Sequence, residues 1–268
     1  MCAIADTTWQ AKAIREAADK SLMARDMYVD QVVTQLQQSL VSAQKQVHAA
    51  ILGFKELGSL PDNKLAAKQG LEKLDSEIGG VLKSLERDQT LMFKRSGKAA
   101  FRSGVYCGIE ELATAQMPFY KDLTPDGIDK LTTSVFTLID TDALDFMANY
   151  NLVLAGDVHR ELTDGIKRTI LSGIATGKGA DDIVRDLGSV IEDKESFRHA
   201  GSKVFTKAQY RMEMIARTEV LRAHNQGRIK FHREVGVSKL AWMTMEAERT
   251  CPVCGGLDGK VFFTDKFP

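Results

Sequence analysis

The first third of the chain repeats apolar residues in alternating steps of three and four: Val33, Leu36, Leu40, Ala43, Val47, Ala50 and Phe54. In an α-helix this spacing puts all of them on one seam. A strand cannot use it, because strand side chains alternate faces with a period of two. A second seam follows at Leu71, Leu74, Ile78, Val81 and Leu85. Between the two lie turn-prone Gly58 and Pro61, with Asp62 or Asn63 placed to cap the next helix. Two seams joined by a short turn predict an antiparallel helical hairpin over residues 1–92. Such a hairpin is a scaffold, or an arm that leans on a partner.

Composition agrees with a mainly α-helical fold. Aromatic residues make up 7% of the 268 residues and there are five prolines, which suits helices better than a sandwich or barrel. Lys+Arg and Asp+Glu both number 36. Overall charge therefore gives no argument for nucleic acid, and any such contact needs a local basic patch. No run of 18 apolar residues suggests a membrane span. The opening "MCAIADTTWQAKAIREAADK" is amphipathic and lacks the pattern of a signal peptide. We expect a soluble chain made in a reducing cytosol, with Cys2, Cys107, Cys251 and Cys254 outside disulfides.

Residues 93–156 read as a central helical region. Thr124 can cap a helix that starts at Pro125, and a break falls at Asp140–Asp142. Residues 157–191 read as helix, Gly-rich turn, helix. Ala180, Asp181 and Asp182 open the second helix, with acid at its positive end. The turn "GIATGKGAD" is not a phosphate loop. Three residues separate Gly173 from Gly177, Gly179 follows Lys178, and no strand precedes.

Residues 207–237 carry the basic part of the chain. Met212, Ala216, Val220, Ala223, Gly227 and Phe231 share one helical face, small enough to admit a close neighbour. The other faces hold Arg211, Arg217, Arg222, Arg228, Lys230 and Arg233 against Glu213, Glu219 and Glu234. Glu213 stands four before Arg217, the favourable order for an ion pair. The basic face is a solvated surface, or a surface for phosphates or an acidic partner. Gly236 ends the helix. Leu240, Trp242 and Thr244 then alternate as a strand, and "KVFFT" returns as a second.

Between these strands lies "RTCPVCGGLDGK", with Cys251 and Cys254 spaced C-x-x-C. Two thiolates at that spacing can fill half of a tetrahedral zinc site. His224 or His232, or groups outside the chain, could complete it. Alternatively, the two are plain thiols in a turn. A redox pair fits worst, since no strand-to-helix βαβ setting surrounds them. Catalysis finds little support. Glu219 and His224 are five apart and leave the helix on different sides, and Glu246 and Glu248 lack a nucleophile with a matching base. Arg217 and Glu219 read better as ion-pairing residues that fix the helix against the hairpin.

The ordered set "IARTEVLRAHNQGR", "GVSKLAWMT" and "RTCPVCGGLDGKVF" resembles the phage head morphogenesis family, the Mu F-like minor head proteins. The matching residues are Ala216, Arg217, Thr218, Glu219, Asn225, Gly227, Trp242, Cys251, Cys254, Leu257 and Gly259. Upstream, "IATGKGADDIVRDL" is similar to the turn before the family's helix. The family pattern often continues into His-Pro-x-Cys-x-Cys, and this sequence ends at Phe267-Pro268 where that would begin. The resemblance implies Cys251 and Cys254 as a candidate zinc half-site, with zinc as the one cofactor in view and a metal-free turn as the alternative.

The resemblance implies a non-enzymatic virion protein, with residues 157–268 as the head morphogenesis module. It implies the portal and capsid proteins as partners, and a role in head assembly and in DNA packaging or delivery. The location would be the phage head near the portal, with the host cytoplasm during assembly. No small-molecule substrate or membrane is expected. The alternative is a sequence-independent DNA-binding protein. On that reading Arg217, Arg222, Arg228, Lys230 and Arg233 contact phosphates.

Overall fold

The computed structural model describes residues 8–56, 64–138, 141–176, 178, 182–183, 185–187, 204–244 and 252–266. The fold is mainly α-helical with one small antiparallel sheet. The helices are α1 (Thr8–Glu56), α2 (Lys64–Thr114), α3 (Pro125–Leu138), α4 (Thr141–Ala175), α5 (Val204–Glu234) and the short α6 (Pro252–Leu257). Strands β1 (Lys239–Ala241) and β2 (Val261–Phe263) form the sheet. The boundary expected at residue 92 falls inside α2. The chain forms two compact units: one of Met27–Gly97 and Asp142–Val220, the other of Met1–Asp26, Lys98–Thr141 and Leu221–Pro268.

In the first unit α1 and α2 run antiparallel, as the two seams predict. Tyr28 donates to the Ser96 carbonyl at 3.5 Å, and Gln89 donates to Ser39 Oγ at 2.7 Å and the Leu36 carbonyl at 3.3 Å. Val33, Leu36, Leu40, Ala43 and Val47 are buried on α1, facing Leu71, Leu74, Ile78 and Leu85 on α2. Two seam positions differ from expectation. Ile51 is buried where Ala50 was expected, and Leu82 where Val81 was expected. A straight helix has 3.6 residues per turn, so a seam drifts from a strict heptad and takes an extra step of four. The Phe54 side chain and the turn at 58–63 lie outside the described residues. α4 adds a stripe of Val158, Leu162, Ile166 and Ile170. Ile183 fills the space beside Gly173, where a Cβ would strike its side chain.

In the second unit the C-terminal part of α2 packs along the C-terminal part of α5. Phe101, Val105 and Ile109 are buried on α2, and Ala223 and Phe231 on α5. Thr124 accepts a hydrogen bond from the Gly127 amide at 3.2 Å and caps α3, whose first residue is Pro125 as expected. Phe101 meets Phe136 of α3 with ring centroids 6.2 Å apart. α5 ends at Gly236, whose φ of 80° suits glycine. The Val237 amide reaches the His232 carbonyl at 2.9 Å and the Gly236 amide that of Arg233 at 3.1 Å, a Schellman ending.

The sheet pairs Lys239 with Phe263, Leu240 with Phe262 and Ala241 with Val261. The Trp242 amide extends the ladder to the Lys260 carbonyl at 2.8 Å. The first strand stops sooner than the alternation to Thr244 suggested. There the Thr244 amide turns to the Asp258 carboxylate at 2.7 Å, away from the ladder.

Candidate functional site

α5 is the spine of the C-terminal region. All six residues of its expected apolar face, Met212 to Phe231, are buried. The small residues do admit a close neighbour, and within the second unit that neighbour is α2. A Cβ at Gly227 would collide with the Phe101 carbonyl, and one at Gly104 with that of His224. Helix backbones approach this closely only where neither carries a side chain.

Polar groups flank this crossing. Glu111 of α2 is almost fully buried and accepts from Arg228 Nε and from His232 Nε2, each at 2.9 Å. Burial pushes the Glu111 carboxyl up, but the charge of Arg228 and the hydrogen bond with His232 outweigh it and hold the pKa below the usual value. His224 is buried with Nε2 3.6 Å from Cys107 Sγ. Burial, then the charges of Arg25 and Arg228, lower its pKa from 6.5 to about 4, so the ring is neutral at pH 7. Glu219 is also buried. A buried Glu219 and a buried, neutral His224 are poorly placed to act on a substrate.

The expected basic residues have mixed fates. In the first unit Arg217 bonds Glu213 at 3.0 Å, the pair its spacing predicted, and Asp30 of α1 at 2.9 Å. Its partner across helices is thus on α1 and is not the hairpin near residue 249. The Glu213 hydrogen bond raises the Arg217 pKa first, burial opposes, and Asp30 adds to the rise. In the second unit Arg228 is taken by Glu111, and Arg233 donates to the Thr264 carbonyl at 2.8 Å, tying α5 to the residue after β2. Arg222 is exposed and Lys230 half-buried. Among the other motif residues Thr218 and Asn225 are exposed, Trp242 is half-buried beyond β1, and Gly259 has a φ of 73° in the turn before β2.

Ala216, Gly227 and Arg228 thus pack or bond α5 into its surroundings. Residues 164–268 match the family described as Phage Mu protein F like protein. The match bears out the resemblance to the Mu F-like family over the region that holds the Ala-Arg-Thr-Glu helix and Trp242. Neither a curated protein nor a solved structure matches the chain.

Within the Mu F-like region, Cys254 sits half-buried on α6, a short helix where a turn was expected, and Cys251 lies outside the described residues. His224 Nε2 lies 3.6 Å from Cys107 Sγ and His232 Nε2 lies 2.9 Å from Glu111, both at the α2–α5 crossing. Among the described residues no group of three His, Cys, Asp or Glu could hold a metal. Nor is any described helix long and apolar enough to cross a membrane.

Nothing local in the sequence marks Glu111. It lies 117 residues from Arg228, in a helix whose local pattern says nothing about a partner that distant. Nor does anything local mark Glu161, Arg168 and Lys207, whose grouping exists only once α4 and α5 are side by side.

Proposed function

We propose that this chain is a minor head protein of a tailed phage or prophage. It acts at the portal and inner capsid in head assembly and in DNA packaging or delivery, without catalysis. The match of residues 164–268 to the Mu F-like family carries this reading. The close α2–α5 crossing supports it, because a helix locked by glycine contacts and a buried ion cluster is a rigid element on which to present a docking surface. DNA binding through the expected face draws less support. Arg217, Arg228 and Arg233 already bond within the protein, and a phosphate would have to displace those bonds.

Co-expression with the portal protein of the same phage, followed by pull-down and electron microscopy, tests the proposal. Co-purification with added density on the portal ring is the expected result. A bare portal ring, with this protein free in solution, counts against it.

A further inference from the structure

Helix α4 shows opposite charge on two sides within the first compact unit. On one side Asp157, Asp164 and Glu86 of α2 border a hollow together with Arg160, which pairs with Asp157, so acid is in excess there. On the other, α4 and the first turns of α5 enclose a pocket of about 230 Å³. Its polar wall consists of Arg168, Lys207, Arg211 and Glu161. The buried side chains of Leu162 and Ala208 contribute to its apolar lining, and Gly165 adds no side chain.

The charges do not cancel. Glu161 accepts from Arg211 at 2.5 Å and lies 3.7 Å from Lys207 Nζ. The Arg211 hydrogen bond, against a smaller effect of burial, holds this carboxyl below its usual pKa, so it stays ionised. One carboxylate nevertheless faces three cations. Lys207 and Arg211 are four apart on α5 and so share a helix face. Arg168 is anchored by Nε to the Asp164 carbonyl at 3.1 Å, which uses one of its five N–H donors. The volume is below the roughly 300–1,000 Å³ of sites that enclose a whole small molecule. It suits a single charged group inserted from outside.

The geometry points to an anion pocket in which Arg168, Lys207 and Arg211 receive a phosphate group, from a nucleic-acid backbone or as free phosphate. This places accessible positive charge at the start of α5, away from Arg217 and Arg228. It is independent of docking on the portal, and its test does not use the portal.

The test uses the full chain, a labelled DNA duplex titrated at several salt concentrations, and inorganic phosphate followed by thermal melting. The wild type binds the duplex at low salt. An Arg168→Gln/Lys207→Gln variant binds about tenfold or more weakly, and its salt slope is shallower by about 2, because two fewer cations neutralise phosphates. Glu161→Gln, which frees Arg211 and removes the opposing charge, tightens binding several-fold. Melting raised by phosphate in the wild type but not in the double variant, with no duplex binding, identifies free phosphate as the ligand. If the folded double variant binds both probes like the wild type, or the wild type binds neither, the pocket is overturned.

Discussion

Gly104 of α2 and Gly227 of α5 stand where each helix meets the other's backbone: a Cβ on the first strikes the His224 carbonyl, and on the second the Phe101 carbonyl. Backbone cannot rotate aside as a side chain can. Gly104→Ala and Gly227→Ala should each destabilise the protein by about 3 kcal/mol or more, the upper end of overpacking costs. Gly79 and Gly80 lie in the same helix α2 with open space beside them. Alanine there should stabilise by roughly 0.5–1 kcal/mol through helix propensity. Denaturant unfolding of the four variants reads the contrast, and equal effects at all four sites would mean the close crossing is absent.

Removing Glu111 should cost far more than removing an exposed partner. Glu111→Ala leaves Arg228 and His232 without their shared acceptor inside the protein. Breaking one side of a buried pair typically costs about 3–5 kcal/mol. Asp30→Ala removes an exposed partner of Arg217 and should cost under about 1 kcal/mol. Unfolding midpoints of the two variants at neutral pH check the ranking.

Acid should weaken the fold through its buried histidines. Burial lowers the His159 pKa from 6.5 to about 4, and burial with nearby arginines does the same for His224. Between those values the unfolded chain holds a proton on each ring that the folded chain does not, so stability falls as pH falls from 6.5 towards 4. At 1.36 kcal/mol per pK unit, each contributes up to about 3 kcal/mol to the loss. Glu111 acts in the same sense at lower pH. Its contribution is full above the unfolded carboxyl value and is lost as pH falls through the lowered folded one. Unfolding free energies measured from pH 7 to pH 4 should show this slope, and His159→Asn should flatten it even where it lowers stability at pH 7. An unchanged slope in that variant would mean that His159 titrates normally.

Much of the helical scaffold was legible because its information is local. Leu36 and Leu40, or Met212 and Ala216, share a face by spacing alone, and Thr124-Pro125 announces a helix start within two residues. The seams slipped at Val81 and Ala50, where a fixed heptad cannot follow a straight helix. The site was legible only in part. Charge spacing found the Glu213–Arg217 pair, but no local rule links Arg217 to Asp30 or Arg228 to Glu111. The basic face therefore read as more open than it is. Lys207 and Arg168 show the converse, since neither stands out until two helices bring them to one pocket.

Thr264 and its neighbour Phe263 should respond to substitution with losses of different size. Phe263 is 54% exposed on the outer face of the sheet, under Lys239 Nζ at 5.0 Å from its ring centre. Phe263→Ser removes a surface cation–ring interaction worth about 1 kcal/mol or less. Thr264 is buried, and three bonds converge on it. Its hydroxyl donates to the Val237 carbonyl, its amide to the Ser238 carbonyl at 3.0 Å, and its own carbonyl accepts from Arg233. Thr264→Val keeps the shape and both backbone bonds but leaves the Val237 carbonyl without its hydroxyl donor, at a cost of about 1–3 kcal/mol. Because that bond ties the end of the sheet to the end of α5, the loss should appear first as faster hydrogen exchange at the Thr264 and Trp242 amides. Unchanged exchange in Thr264→Val, with faster exchange in Phe263→Ser, would show that the exposed face and not the buried hydroxyl holds the sheet to the helix.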